Sequence, residues 1–393
     1  MSKLMTLNGN HTISEAVRQI DPDVMAAYPI TPSTAIVERI AQFKADGLIN
    51  GEFVCPESEH SAMSVCIGAA SAGGRVMTAT ASQGLALMWE MLYIAAGLRL
   101  PIVAAIANRS LSAPINIHGD HSDTMGARDS GWIQIYSENC QEAYDNFIQA
   151  FRIAEHLKVR TPVLVGLDGF IISHSLEVVQ VEDDDEVKEF VGRYIPVYPL
   201  LDTNKKMTVG PIDFTDYYFE HKRSQIEGIE NAPPVIEEVG REFGDKFGRY
   251  YGFFEEYRLD DAETCIVVMS SAAGTCKDAV DELREEGKKI GLLKPRVFRP
   301  FPHKKIAEAL KELKAVAVLD RSSSPGAFGA PLFTEIRSAL YDYEKRPKVV
   351  NYVYGLGGRD ITVEHFKEVA AKLEKIAETG KVEEMCGYLN LRE

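Results

Sequence analysis

Along the N-terminal part of the chain, short apolar runs alternate with segments whose apolar side chains recur at helical spacing. Val24 to Tyr28, Phe53-Val54, Arg75 to Thr80, Pro101 to Ala107, Trp132 to Tyr136 and Pro162 to Leu167 read as strands. Ser14 to Ile20, Ser33 to Lys44, Glu59 to Ala72, Leu85 to Gly97 and Gln141 to Leu157 read as helices between them. In the second of these, Ile36, Val37, Ile40 and Ala41 share one face and Ser33 is a fitting N-cap. Glu59 to Ala72 is rich in small residues, which suits close packing, and Gln141 to Leu157 predicts an amphipathic helix. Strands alternating with helices predict a parallel sheet covered on both faces.

The pattern changes at Val181. Glu182-Asp183-Asp184-Asp185-Glu186 is an acidic run that reads as a solvated turn or a helix start. The stretch up to Tyr257 is rich in Pro, Tyr and charge, and predicts an irregular linker or an arm crossing another subunit. A second α/β unit follows. Its strands are Cys265 to Met269, Ile290 to Phe298, Ala315 to Leu319 and Val349 to Val353. Its helices are Cys276 to Glu286, Ile306 to Leu313, Pro331 to Tyr341 and Val363 to Ala377. The expected organisation is therefore a first domain over 1–180, the irregular segment over 181–257 and a compact second domain over 258–393.

A formal net charge of −15 argues against nucleic acid and against anionic membrane surfaces as partners. No apolar stretch approaches the roughly 20 residues that span a bilayer, and Met1 to Asn8 lacks the apolar run of a secretory signal. A cytoplasmic location is the expectation. The six cysteines are scattered, with no Cys-x-x-Cys, which disfavours a disulfide framework, a zinc ribbon or a cysteine-ligated cluster within the chain.

Candidate chemistry gathers where strands end, the usual place for a ligand crevice in a parallel sheet. Tyr28-Pro29-Ile30-Thr31-Pro32-Ser33 follows one strand and Asn108-Arg109-Ser110-Leu111-Ser112-Ala113-Pro114-Ile115-Asn116 another. Thr31 and Arg109 make a grip for a small carboxylate, because the guanidinium is a planar fork of donors. The plainer alternative pairs Arg109 with Asp120 or Asp123 and leaves Thr31 as a helix cap. Cys55-Pro56-Glu57-Ser58-Glu59-His60 adds two carboxylates at a third strand end. Glu59 is either a general acid–base or a complement to the helix dipole. His118-Gly119-Asp120-His121-Ser122-Asp123 has the composition of a metal site but a spacing that fits no standard one, so loop hydrogen bonding is the favoured reading. Gly355-Leu356-Gly357-Gly358 is a poor dinucleotide fingerprint, and a Ser nucleophile elbow and a phosphate-binding Gly-x-x-x-x-Gly-Lys loop are absent from the sequence.

Taken together, Tyr28 to Ser33, Glu57-Ser58-Glu59-His60, Thr80-Ala81-Ser82-Gln83-Gly84, Asn108 to Asn116 and Arg128-Asp129-Ser130-Gly131-Trp132 resemble the alpha subunit of the pyruvate:ferredoxin oxidoreductase family. Arg299-Pro300-Phe301-Pro302 and Gly355-Leu356-Gly357-Gly358-Arg359-Asp360 extend the resemblance through the second unit. It implies a thiamine diphosphate enzyme: a pyrimidine-binding domain followed by a domain like the transketolase C-terminal one. By the same resemblance, Glu59 would hydrogen-bond the pyrimidine ring nitrogen, with Pro29, Ile30, Ser82 and Gln83 lining the cofactor, while Thr31 and Arg109 bind the substrate carboxylate. The implied reaction is CoA-dependent oxidative decarboxylation of pyruvate to acetyl-CoA and CO2, reversible, with electrons passed to ferredoxin. Alternatives are a branched-chain or other 2-oxoacid enzyme, oxalate included, and a non-catalytic scaffold subunit.

The family's usual metal segment, Gly-Asp-Gly with a downstream Asn, has no true match; Gly119-Asp120-His121 and Gly166-Leu167-Asp168-Gly169 come nearest. The resemblance thus implies a shared cofactor, no metal ligand in this chain, and Mg2+ and [4Fe-4S] clusters on beta, gamma and delta type partner subunits.

Overall fold

The computed structural model describes residues 2–392. The first sheet has seven strands in the order Val297–Arg299, Ile133–Tyr136, Val163–Asp168, Ile102–Asn108, Val76–Thr80, Val24–Ala26, Glu52–Val54. The second has six, in the order Cys386–Tyr388, Lys348–Val353, Ala315–Asp320, Thr264–Val268, Ile290–Pro295, Phe254–Tyr257. Both sheets are parallel except at one edge each, where Val297–Arg299 and Phe254–Tyr257 run antiparallel. A separate ribbon pairs Lys3–Leu7 with Glu177–Val181.

The side-chain period of two sorts each strand of the first sheet between two cores. Met77, Ala79, Val103 and Ala105 face the helices Gly9–Ile20, Thr34–Ala45 and Cys140–Glu155. Val76, Ile102, Ala104 and Ile106 face Glu59–Ala72 and Trp89–Gly97. Every residue of Ile102–Asn108 and Val163–Asp168 is buried, so these strands read as unbroken apolar runs. Their polar ends, Asn108 and Asp168, are register partners. The second unit repeats the sandwich, with Ala272–Glu285 and Val363–Thr379 on one face and His303–Leu310 and Pro331–Leu340 on the other.

The structure departs from the sequence pattern in three places. Helix Cys140–Glu155 is buried nearly all round rather than amphipathic. Its polar residues face fixed partners: Asp145 pairs with Arg249 at 2.7 Å, and Asn146 accepts from Arg296 Nε at 2.7 Å. The run Ile290 to Phe298 is two strands in two sheets, so the first sheet includes residues assigned above to the 258–393 domain. Arg296 sits at the crossing, buried, with its guanidinium donating to Asn146, Gln149 and the carbonyl of Gly252. The segment 181–257 is irregular only in part. Asp183 caps the helix Asp184–Val191, and Tyr218–Glu230 and Ala232–Phe247 are also helices. Val235, Ile236, Val239 and Phe243 of the last enter the first core, and Phe254–Tyr257 joins the second sheet. The helical spacing of those four residues was the signal that marked the packed element.

Between the two units, Glu138, Glu142 and Glu255 approach closely enough to share a cation. Two ammonium groups fill that role. Lys294 Nζ lies 2.5 Å from both Glu138 and Glu142, and Lys277 Nζ lies 2.9 Å from Glu138. Burial pushes the Lys294 ammonium down, but Glu142 and Glu138 outweigh it and hold it above the usual lysine range. Removing one partner of such a buried cluster strands the opposite charge. Lys294→Met should therefore cost about 3–5 kcal/mol of stability, read as a lower urea midpoint; an unchanged midpoint would refute a structural role for the cluster.

Candidate active site

Four loops meet beyond the carboxyl ends of the first sheet. The turn Ala27–Ser33 is fixed by Asn10 Nδ2, which donates to the Pro32 carbonyl at 2.8 Å, and by the Ser33 hydroxyl, which donates to the Ile30 carbonyl at 2.8 Å. Ser33 precedes helix Thr34–Ala45 but makes no side-chain cap to it. At Gly169 the backbone N–H donates to the Asn108 carbonyl at 2.9 Å. A Cβ there would come within 2.3 Å of that oxygen and 2.9 Å of Pro32. Only glycine lets the loops after Asn108 and Asp168 close this tightly.

Arg109 is buried, and its guanidinium reaches the loop that carries Thr31. Nη1 donates to the Thr31 carbonyl at 3.0 Å and Nε to the Asn116 carbonyl at 2.8 Å. Neither Asp120 nor Asp123 pairs with that guanidinium. Among the described residues Nη2 has no hydrogen-bond partner. Thr31 itself is exposed and its hydroxyl is unengaged, and Pro29 is exposed beside a half-buried Ile30.

Glu59 opens helix Glu59–Ala72, whose N-cap Ser58 accepts from the Ser61 N–H at 3.2 Å. Glu57 stays exposed and accepts from the Ser61 hydroxyl, which holds its carboxyl below the usual range. Glu59 turns inward and is 6% exposed. Its carboxylate has no hydrogen-bond or ion-pair partner among the described residues. A Cβ on Gly84 would come within 2.7 Å of Glu59 Oε1 and 2.3 Å of Thr80 Oγ1, a hydroxyl that is itself buried and unpartnered. The absence of a side chain at Gly84 therefore lets these two polar groups stand close to its backbone.

Asp123 joins the two halves of the site. Its carboxylate accepts from the backbone N–H of Ser82 at 3.0 Å, from that of Arg109 at 2.9 Å and from Asn108 Nδ2 at 2.9 Å. Ser82 in turn donates its hydroxyl to the Ser110 carbonyl at 2.6 Å, so that hydroxyl is committed to the loop. Gln83 is half-buried against it. Asp120 accepts from Ser122 and from the Gly357 N–H, and His121 Nε2 lies 2.7 Å from Asp168. The loop His118–Asp123 thus spreads its carboxylates among separate protein donors. Gly355–Gly358 packs against it rather than opening a nucleotide site: Asn116 Nδ2 donates to the Gly357 carbonyl at 3.1 Å. Asp123, Asn108 and Asp168 escaped the sequence reading as organising residues, although a polar residue ending a buried strand was a usable signal.

The chain also matches known proteins. A family model described as "Pyruvate flavodoxin/ferredoxin oxidoreductase, thiamine diP-bdg" matches residues 15–241, and "Pyruvate:ferredoxin oxidoreductase core domain II" matches 262–366. Pyruvate synthase subunit PorA of Thermotoga maritima is 54% identical over 389 residues, covering 99% of this chain and 98% of its own. Pyruvate synthase subunit PorA of Methanocaldococcus jannaschii is 49% identical, covering 95% and 96%. Ketoisovalerate oxidoreductase subunit VorA of Pyrococcus abyssi is 43% identical, covering 98% and 97%. Among solved structures, a 2-oxoglutarate:ferredoxin oxidoreductase from Magnetococcus marinus superposes with a TM-score of 0.73 at 19% identity, covering 95% of this chain and 65% of that one. A split gene transketolase gives 0.56 at 12% identity, covering 95% and 99%. These two bear on the fold: a thiamine diphosphate pyrimidine-binding unit followed by a transketolase C-terminal-like unit.

The chain belongs to the pyruvate:ferredoxin oxidoreductase family. Its first unit is the thiamine diphosphate-binding domain of that class of oxidoreductase, which works with other subunits. The residues present fit one end of the cofactor. A buried carboxyl group without a protein partner suits a basic ring nitrogen with which it can share a proton. In contrast, the carboxylates of Asp120, Asp123 and Asp168 are all engaged by protein donors.

Burial pushes the Asp123 carboxyl up to about 6 against the hydrogen bonds it accepts. The folded chain then binds this proton more tightly than the unfolded chain, whose carboxyl titrates near ~3.9. The stabilising contribution is full below that value and lost as pH rises through about 6. Asp123→Asn should reduce the slope of stability against pH in this window, measured as urea midpoints; a slope equal to the parent's contradicts the assignment.

Proposed function

We propose that the chain is the alpha-type subunit of a cytoplasmic pyruvate:ferredoxin oxidoreductase and supplies the ring-activating and carboxylate-binding half of a shared active site. Beta, gamma and delta type subunits would supply the Mg2+ and diphosphate site and the [4Fe-4S] clusters, with ferredoxin as acceptor and CoA as acyl acceptor. The observation that carries the reading is the contrast at the strand ends. Glu59 and the Nη2 side of Arg109 are the uncommitted charged groups, while the neighbouring carboxylates are spent on the fold.

When bound, thiamine diphosphate supplies the carbon nucleophile and electron sink that decarboxylation of a 2-oxoacid needs. Glu59 would share a proton with the pyrimidine ring nitrogen. Arg109 would meet the substrate carboxylate with its free donors, already oriented by the carbonyls of Thr31 and Asn116, and the Thr31 hydroxyl would add a further donor. Pro29, Ile30, Ser82 and Gln83 would line the ring, Ser82 by its position rather than its hydroxyl. Pyruvate is favoured over a branched-chain 2-oxoacid because the PorA relatives reach 54% identity against 43% for VorA.

In the assembled complex, Glu59→Ala should abolish pyruvate decarboxylation with subunit composition unchanged; near-normal turnover would remove Glu59 from the proton-holding role. Arg109→Ala should raise the pyruvate KM by the loss of a charge-assisted contact of about 2–5 kcal/mol, while an unchanged pyruvate dependence would refute the clasp. Turnover of 2-oxoisovalerate above pyruvate would shift the substrate assignment and leave both residue roles standing.

A further inference from the structure

We infer that the chain carries a second ligand site, for a phosphate-bearing metabolite of nucleotide size, at the amino-terminal end of the first sheet, opposite the strand-end crevice. A cavity of about 590 Å3 lies there, within the usual range for small-molecule sites. Arg99 leads into strand Ile102–Asn108 and Arg160 into strand Val163–Asp168, so both stand at the amino ends of the central strands. Helix Tyr218–Glu230 flanks the cavity and adds Lys222 and Ser224 to its wall.

The charges are out of keeping with the chain. Acidic residues outnumber basic ones by 58 to 43, yet three cations line this hollow. Arg160 and Lys222 form no salt bridge among the described residues; Lys222 Nζ donates to Gln225 Oε1 at 3.0 Å. Arg99 donates to the Val159 carbonyl at 2.8 Å and to Ser224 Oγ at 3.3 Å. Its Nε is buried with no acceptor. Burial pushes the Arg99 guanidinium below its ordinary value, and the Arg160 charge adds to the effect. Asp213 is the acid in the wall, and it is already paired with His221 Nδ1 at 2.5 Å. Glu227 reaches Arg99 by charge without forming an ion pair.

Two guanidinium groups facing one cavity without a carboxylate between them are relieved by an anion that both can reach. The planar fork of arginine matches phosphate oxygens. Beside the cations, Ile94, Leu98 and Pro211 form an apolar wall, which suits a ring attached to the phosphate. The apolar wall set beside the cations favours a phosphate that carries a ring over an extended acidic peptide.

The test is calorimetric titration of the purified oxidoreductase complex with ADP and with inorganic pyrophosphate, comparing the parent with Arg160→Ser and Lys222→Ala. Saturable ADP binding that pyrophosphate competes for, weakened about tenfold or more in both variants, is expected. Pyruvate turnover without ADP should match the parent, because neither side chain belongs to the strand-end site. Absence of saturable binding, or equal affinity in parent and variants, overturns the proposal. Loss of a partner subunit on Arg160→Glu in a complex that never binds ADP also overturns it, and makes the cavity a socket for an acidic protein segment.

Discussion

The buried carboxylate of Asp168 is the contact on which the assembly of the two units turns. It closes the central strand Val163–Asp168 and is fully enclosed. From its own unit it meets His121 at 2.7 Å; from the second it receives Arg321 Nη1 at 2.9 Å and the Ser271 N–H at 3.1 Å. Burial alone would push its proton affinity up, but Arg321 and His121 overcome that and keep it far below the carboxylate range. A charge so enclosed is tolerable only while its partners stay in place. The second unit is therefore held over the strand ends of the first by electrostatic need as much as by apolar contact.

From Asp168 the constraint passes sideways. Asn108 is its register neighbour, and the Asn108 amide donates to Asp123, which in turn anchors the backbone of Arg109 and Ser82. Hydrogen bonds thus run from the interdomain charge to the loop bearing the guanidinium and to the turn beside Glu59. Along this path the Asn108 amide nitrogen and the Asp123 carboxylate are engaged by protein partners, and Asn108 Oδ1 is buried without one. Glu59 and the free side of Arg109 stand at its margins, held by rigid neighbours and left with unmet bonding capacity, the condition under which a polar group recognises something brought from outside.

Much of this was legible in the sequence. Central strands covered on both faces show as apolar runs whatever surrounds them, so Pro101 to Ala107 and Pro162 to Leu167 mark the sheet and place Arg109 at a strand end. The illegible parts depend on distant partners. Glu142, Asp145, Asn146 and Gln149 looked like the wet side of a helix because Lys294, Arg249 and Arg296, far along the chain, supply their contacts. Ile290 to Phe298 looked continuous because nothing local shows that Arg296 switches sheets. The commitment of Asp123 to backbone N–H groups, in place of the Arg109 side chain, follows from the angle at which two loops meet, which spacing does not encode.

The strand Val297–Arg299 belongs by chain position to one unit and by pairing to the other. It covers the flank of Ile133–Tyr136, with Val297 opposite Ile135 and Arg299 opposite Gln134. Without it the larger sheet would end in bare N–H and carbonyl groups, an invitation to foreign strands. The two halves are therefore sewn rather than merely docked. A chain severed between them would have to recover this stitch from a separate polypeptide, so the seam favours inheritance of both halves as one piece.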